Sequence, residues 1–143
     1  MTKCIATLIA ILLLPLAVHT AFAQDPSIPL TEREWGIYYQ LVDKLSGVDY
    51  ENVEAHSRAL KKAADEMGLD IEFLGKIELV GKVSPPNEQE NMIFQDILKR
   101  VDPLPDDVSE TQLEPVYSQV ARDYGFSLAR VYDILKRCQE NTY

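Results

Sequence analysis

Apolar positions along this chain recur at helical spacing. From residue 30 onward they fall at intervals of three and four, with polar residues between them, as in the stripe formed by Ile37, Leu41 and Leu45. No segment alternates apolar and polar residues over the length of a strand. The pattern therefore predicts an all-α fold of about six helices.

Cap and turn residues divide the first half of the chain into three predicted helices. Thr31 and Glu34 have the spacing of a capping box, and Gly68 supplies the permissive backbone that ends a helix. Gly81 and Pro85-Pro86 are predicted to end the third helix. The predicted helices cover about residues 32–45, about 51–67, and a short segment after Asp70.

The second half repeats this plan. Asn87 and Glu90 have capping spacing, and Asp102-Pro103 ends the helix that follows. Ser109 and Gln112 form another capping-box pattern, with the alternative that the middle helix begins with Pro115 near its first position. A last turn and cap are predicted at Gly125 and Ser127.

The two halves also align with each other, which predicts an internal duplication. A shift of 56 residues, and of 57 after one inserted residue, pairs residues of the same chemical class at helical spacing. We therefore predict two trihelical units, 24–86 and 87–143, packed as one domain. The aligned pairs include Ile37 with Ile93, Leu41 with Ile97, Leu45 with Val101, Ala64 with Ala121, Gly68 with Gly125, and Ile77 with Ile134.

The second and third predicted helices of each half carry a shared motif: an alanine, a glycine four residues later, and apolar residues six and nine beyond the glycine. This motif resembles the helix-turn-helix superfamily pattern. The resemblance implies trihelical packing, with Gly68 and Gly125 as structural turns in left-handed conformation. The matching residues are Ala64, Gly68, Leu74 and Ile77, and then Ala121, Gly125, Val131 and Ile134.

DNA-binding members of that superfamily read base edges with the start of the third helix. Here the corresponding positions include only two residues suited to nucleic acid, Lys76 and Arg130; the others are Ile71, Glu72, Phe73, Leu128, Ala129 and Asp133. Residues 24–143 retain 13 basic side chains, because Lys3 is the one basic residue before them, against 23 acidic ones, a net charge of −10. We therefore expect no nucleic-acid partner.

The first 23 residues resemble a secretory signal. Lys3 gives the positive start, Ile5 to Val18 the apolar middle, and Ala21-Phe22-Ala23 the small-residue cleavage pattern. The alternative is an uncleaved anchor from Cys4 to Ala23, which is just long enough to span a bilayer. Cleavage predicts an exported protein, periplasmic or secreted, that begins at Gln24 and has no membrane segment.

The mature chain offers little for metal or redox chemistry. Cys138 is its single cysteine, so it either lies buried as a small hydrophobe or links two copies through an intermolecular disulfide. His56 is its single histidine and is expected on a helix surface, so we predict no zinc site and no cofactor. An acidic stretch at residues 102–110 lacks the ligand spacing of a calcium loop.

No catalytic residues can be assigned from the sequence. We therefore expect an exported helical module that binds a protein or peptide, without catalytic activity. The alternatives are a small periplasmic enzyme or enzyme subunit with dispersed carboxylates and, third, a nucleic-acid binder. A concave pocket with two carboxylates in different environments would favour the enzyme, and a flat apolar patch the binding module.

Two aromatic residues are the candidates for partner binding. Trp35 and Tyr39 share one face of the first helix, but the aligned positions in the second half are Asn91 and Gln95. This face either packs against the other unit or stays partly exposed as an anchor for a partner.

The signal assignment predicts the mature N-terminus. Intact mass analysis of the protein from its source cell should give a chain that begins at Gln24, because Ala21 and Ala23 satisfy the small-residue requirement for cleavage. Recovery of a chain that retains Met1 in the membrane fraction would instead support the anchor.

Overall fold

A computed structural model describes residues 29–105 and 107–141, and the predicted signal segment lies outside these residues. The described part is all-helical, with six helices and no strand, as the apolar spacing predicts. The helices are α1 (Glu32–Lys44), α2 (Val53–Met67), α3 (Ile71–Val83), α4 (Glu88–Val101), α5 (Glu110–Tyr124) and α6 (Leu128–Glu140).

Side-chain caps fix where these helices begin. The Thr31 hydroxyl accepts a hydrogen bond from the Glu34 backbone, and the Glu34 carboxylate accepts one from the Thr31 backbone. Asn87 and Glu90 form the same reciprocal pair at the start of α4. Such bonds satisfy backbone donors that would otherwise lack a partner at the start of a helix, and they account for the helix starts expected from the sequence.

Gly68 and Gly125 make the turns after α2 and α5. Their φ angles are 64° and 67°, in the left-handed region that side-chain-bearing residues adopt at a cost. In both turns the glycine and its successor donate backbone hydrogen bonds to the last turn of the preceding helix. The following helix can therefore leave at a steep angle.

Apolar side chains form separate clusters in the two halves. Helices α4, α5 and α6 enclose one cluster, and the first three helices enclose two neighbouring ones. Each half thus has its own core. The buried members are Ile93, Ile97, Val120, Ala121, Val131, Ile134, Leu135 and Cys138 in the second half, and Leu41, Leu45, Ala63, Ala64, Leu74, Leu30, Tyr38, Ile77 and Val80 in the first.

The halves are joined mainly through α6. This helix packs against α4 and α5 on one side and against α1 and α3 on the other, whereas the backbone of α4 approaches no helix of the first half and α4 meets α1 only through side chains. The contact is therefore between unlike surfaces. Arg130 and Asp133, which the helix-turn-helix comparison places at exposed positions, face α1 instead.

The structure confirms the capping box of Ser109 and Gln112 at the start of α5 and the end of α3 before Pro85, but two details of the predicted helix ends are wrong. Gly81 does not end α3, which continues to Val83 and stops before Pro85. Pro115 does not begin α5; it lies inside a helix that starts at Glu110. Since a proline donates no backbone hydrogen bond, α5 lacks one internal bond at this point, and its packing against α4 and α6 maintains the helix.

Among the described helices, none combines the length and apolar character needed to cross a bilayer.

Gly81 explains how closely α3 approaches α1. A Cβ atom at this position would overlap the ring of Tyr38. We expect Gly81→Ala to lower the free energy of unfolding by about 1 to 3 kcal/mol, because the fully buried ring has no space to move into. Urea denaturation followed by circular dichroism measures the change.

Gly36→Ala is the matched control. Gly36 lies in α1 with no atom within 4 Å of an added Cβ, so alanine should leave stability unchanged or raise it by up to about 1 kcal/mol. Equal responses of the two variants would contradict the close-approach explanation.

Candidate functional site

A buried ion network lies where the two halves meet. Arg137 and Glu90 are each 1% exposed. The Arg137 guanidinium donates to both Glu90 oxygens, at 3.1 Å from Nη1 to Oε2, and its Nη2 contacts Oε1. Its Nε donates to Asp133 Oδ2 at 3.0 Å. One cation thus holds two carboxylates in fixed positions.

Two tyrosines of α1 complete this network from the first half. Tyr38 donates to Asp133 Oδ1 at 2.5 Å, and Tyr39 donates to Glu90 Oε1 at 2.8 Å. Burial, followed by the neighbouring carboxylate, raises the pKa of both phenols, that of Tyr39 to about 12. They therefore remain hydrogen-bond donors at neutral pH.

Opposing forces act on the Glu90 carboxyl. Burial raises its pKa, but hydrogen bonds from Arg137, from the Asn87 backbone and from Tyr39 outweigh burial and hold the pKa below its ordinary value. The same carboxylate therefore caps α4 and binds both α6 and α1.

A cleft of about 480 Å³ opens beside this network, between α1, α3 and α6. Tyr38, Asp133 and Arg137 contribute to its lining, so the ion network borders the cleft. Its apolar lining comes from α1, α3 and α6, and charged residues of both signs lie among it. The remaining lining residues are Leu41, Val42, Leu45, Ser46, Gly47, Tyr50, Glu78, Lys82, Val83, Ala129, Tyr132, Lys136 and Glu140.

A second polar cluster lies around Glu78, on α3. Glu78 Oε1 is 2.9 Å from His56 Nε2 and 2.6 Å from Lys82 Nζ. Lys82 also lies 3.7 Å from the centroid of the Tyr50 ring. Burial and then the Glu78 charge raise the pKa of Tyr50 to about 12. The expectation of His56 on a helix surface needs correction, because its ring is partly covered and bonded to a buried carboxylate.

Trp35 and Tyr39, the partner-binding candidates, belong to a stack that joins the halves. Their rings stack at 5.5 Å between centroids. The Arg130 guanidinium lies 3.6 Å from the centroid of Tyr39 and 3.6 Å from that of Phe126. All four side chains are partly buried. This face of α1 therefore contacts the second half, and whether its exposed remainder also binds a partner stays a prediction.

Cys138 is buried in the core of the second half, where burial raises the pKa of its thiol. An intermolecular disulfide at Cys138 would require α6 to move away from that core. Within the described ranges, no three residues among His, Cys, Asp and Glu are grouped so as to hold a metal ion.

Sequence reasoning did not find the main residues of the ion network. Arg137 and Glu90 lie 47 positions apart, and Glu90 was assigned only as a helix cap. One signal was available: a shift of 57 residues aligns Arg137 with Val80, an apolar residue typical of a core position. A charge at a core position indicates a buried partner.

Comparison of the chain with protein-family models, with curated proteins and with solved structures finds no match.

The ion network predicts a specific loss of stability for Glu90→Gln. We expect about 3 to 5 kcal/mol at pH 7, because the buried Arg137 loses its main counter-charge. The lowered pKa of Glu90 means that its carboxylate stabilises the fold above its ordinary value of 4.5, and that this contribution is lost as pH falls through the lower folded-state value. Denaturant unfolding across pH 2 to 7 should therefore show a shallower acid dependence in the variant.

Glu66→Gln is the control. Glu66 pairs with Lys44 at the protein surface, where solvent screens the interaction. Its removal should hardly change stability at pH 7. A similar loss in both variants would argue against a special role for the buried network.

Proposed function

We propose that this protein is an exported, non-enzymatic helical module that binds a cationic, apolar peptide segment of a partner protein in the cleft between its two halves. The observation that carries the proposal is the cleft itself, about 480 Å³ in volume and bordered by the Tyr38, Asp133 and Arg137 network. Export rests on the signal-like residues 1–23.

The dimensions and lining of the cleft support a binding role. Ligand pockets commonly enclose roughly 300 to 1,000 Å³, with mainly apolar walls and a few fixed polar groups, and often lie between domains. Here Val42 and Val83 contribute apolar surface from two helices, and Tyr132 contributes an aromatic ring from a third. Apolar side chains of a peptide can be buried against these walls.

Charge complementarity indicates the kind of peptide. The net charge of −10 for residues 24–143 attracts cationic partners over long range and accelerates their encounter. At short range the lining contains three carboxylates, of Glu78, Asp133 and Glu140, and an equal number of cations, so the attraction for a cationic peptide rests on the net charge of the whole protein. Lys82, placed against Glu78 and the Tyr50 ring, illustrates how an ammonium group is accommodated there.

Preorganisation is the third support. Arg137, Asp133 and Tyr38 are bonded to one another before any ligand arrives. A cleft with such a fixed border loses little conformational entropy on binding, so more of the contact energy remains as affinity.

A small enzyme is the second candidate, because one feature favours it. Glu78 and Asp133 are two carboxylates of one concave cleft, in different environments: Glu78 lies beside His56 and Lys82, and Asp133 beside Tyr38 and Arg137. Pairs of this kind serve acid and base catalysis in hydrolases. The argument against an enzyme is that both carboxylates already accept hydrogen bonds from neighbouring cations.

The binding proposal is tested by blocking the cleft at its rim. Val83→Arg adds bulk and positive charge at a lining position that is 57% exposed, so the fold should tolerate it. The probe is a fluorescent heptapeptide of leucine and lysine, titrated by anisotropy. We expect saturable binding to the wild type and at least about tenfold weaker binding to the variant, a difference of about 1.4 kcal/mol.

Leu79→Arg is the matched control on the same helix. It makes the same charge change at a position that is 59% exposed and is not part of the cleft lining, so it should retain wild-type affinity within about twofold. Equal weakening by both variants would indicate non-specific attraction. Peptide cleavage seen by mass spectrometry, and lost in Glu78→Gln and Asp133→Asn, would favour the enzyme instead.

A further inference from the structure

Arg130 is held in an unusual way. Its guanidinium lies between the rings of Tyr39 and Phe126, each centroid 3.6 Å away. Since Tyr39 in turn stacks on Trp35, the four side chains form one continuous stack across the two halves. Both faces of the guanidinium are covered, so only its edges can donate hydrogen bonds.

Those edges have no protein partner in the part of the chain that the structure describes. Arg130 forms no ion pair or side-chain hydrogen bond there, and its buried Nε atom lacks any acceptor. The terminal nitrogens are not enclosed and also have no acceptor. The enclosed Nε atom is out of reach of a ligand, so the donors open to a bound carboxylate are the terminal nitrogens, for which no acceptor among the described residues competes.

The contrast with other cations strengthens this observation. Arg137, Arg100 and Arg58 all pair with carboxylates. Within the described ranges, Arg33 and Arg122 form no ion pair either, but both are exposed; Arg130 differs from them because two rings fix its guanidinium and its Nε atom is enclosed. Ring stacking orders the group in advance, so a ligand would not bear the entropy cost of fixing it.

We propose that Arg130 is a binding site for a single carboxylate, supplied by a partner's chain terminus or by a small organic acid. The planar edge of a guanidinium matches the two oxygens of a carboxylate. The net charge of −10 for residues 24–143 repels multiply charged phosphates and nucleic acids more strongly than a single carboxylate. Trp35 and Tyr39 then hold the Arg130 guanidinium in place from the first half. This role in partner binding is separate from that of the cleft.

The test follows the Arg130 side chain by NMR in the full mature protein at constant ionic strength. Sodium acetate should shift the ¹⁵N–¹H signal of Arg130 Nε saturably, whereas sodium chloride should not. A short peptide with a free C-terminus, compared with its amide, distinguishes the two carboxylate sources: tighter binding than acetate indicates a chain terminus, and equal binding indicates a small acid. Either result supports the site.

Variants complete the experiment. Acetate should also shift the ring signals of Tyr39 and Phe126 saturably, and Arg130→Gln should abolish these shifts. Arg130→Lys should weaken acetate binding at least about tenfold, because an ammonium lacks the planar edge. Arg33→Gln, the same change at an exposed position, should bind as the wild type does. Linear shifts identical for acetate and chloride, unchanged binding in Arg130→Gln, or inorganic phosphate binding tighter than acetate would overturn the proposal.

Discussion

The arrangement of the two halves depends on how one buried cation is neutralised. Removing Arg137 from water is costly, and the attraction to Glu90 and Asp133 compensates only when the geometry is good and the remaining polar atoms are bonded. Tyr38 and Tyr39 meet that second requirement from the other half. Neither half can satisfy the network alone. The halves are therefore held in one relative position, and the same bonds fix the border of the cleft.

Local rules predicted the helices well because their causes lie within a few residues. Thr31 with Glu34, and Asn87 with Glu90, cap helices over one turn, and Gly68 ends a helix through its own backbone freedom. The all-α class and the number of helices follow from such signals. Signals that span only a few residues do not predict that the first half has two apolar clusters, nor that it packs against α6.

Failures of prediction arose where a distant contact overrides a local preference. Gly81 is a helix-ending residue by propensity, yet it lies inside α3 because the Tyr38 ring needs its space. Arg130 and Asp133 look like solvent-facing positions of a third helix, but α1 covers them. The candidate site could therefore not be assembled from the sequence, because its residues are tens of positions apart and only the packing of the two halves brings them together.

The contact between the halves is made by unlike surfaces, α1 and α3 on one side and α6 on the other. Such a heterologous contact does not close on itself, so the same pair of surfaces repeated between molecules would add them end to end. At the positions aligned with Trp35 and Tyr39, the outer face of the second half has Asn91 and Gln95. Those two amides cannot provide the aromatic surface that a next molecule's α6 would need. At these two positions the second half therefore lacks the aromatic surface on which such end-to-end growth would depend.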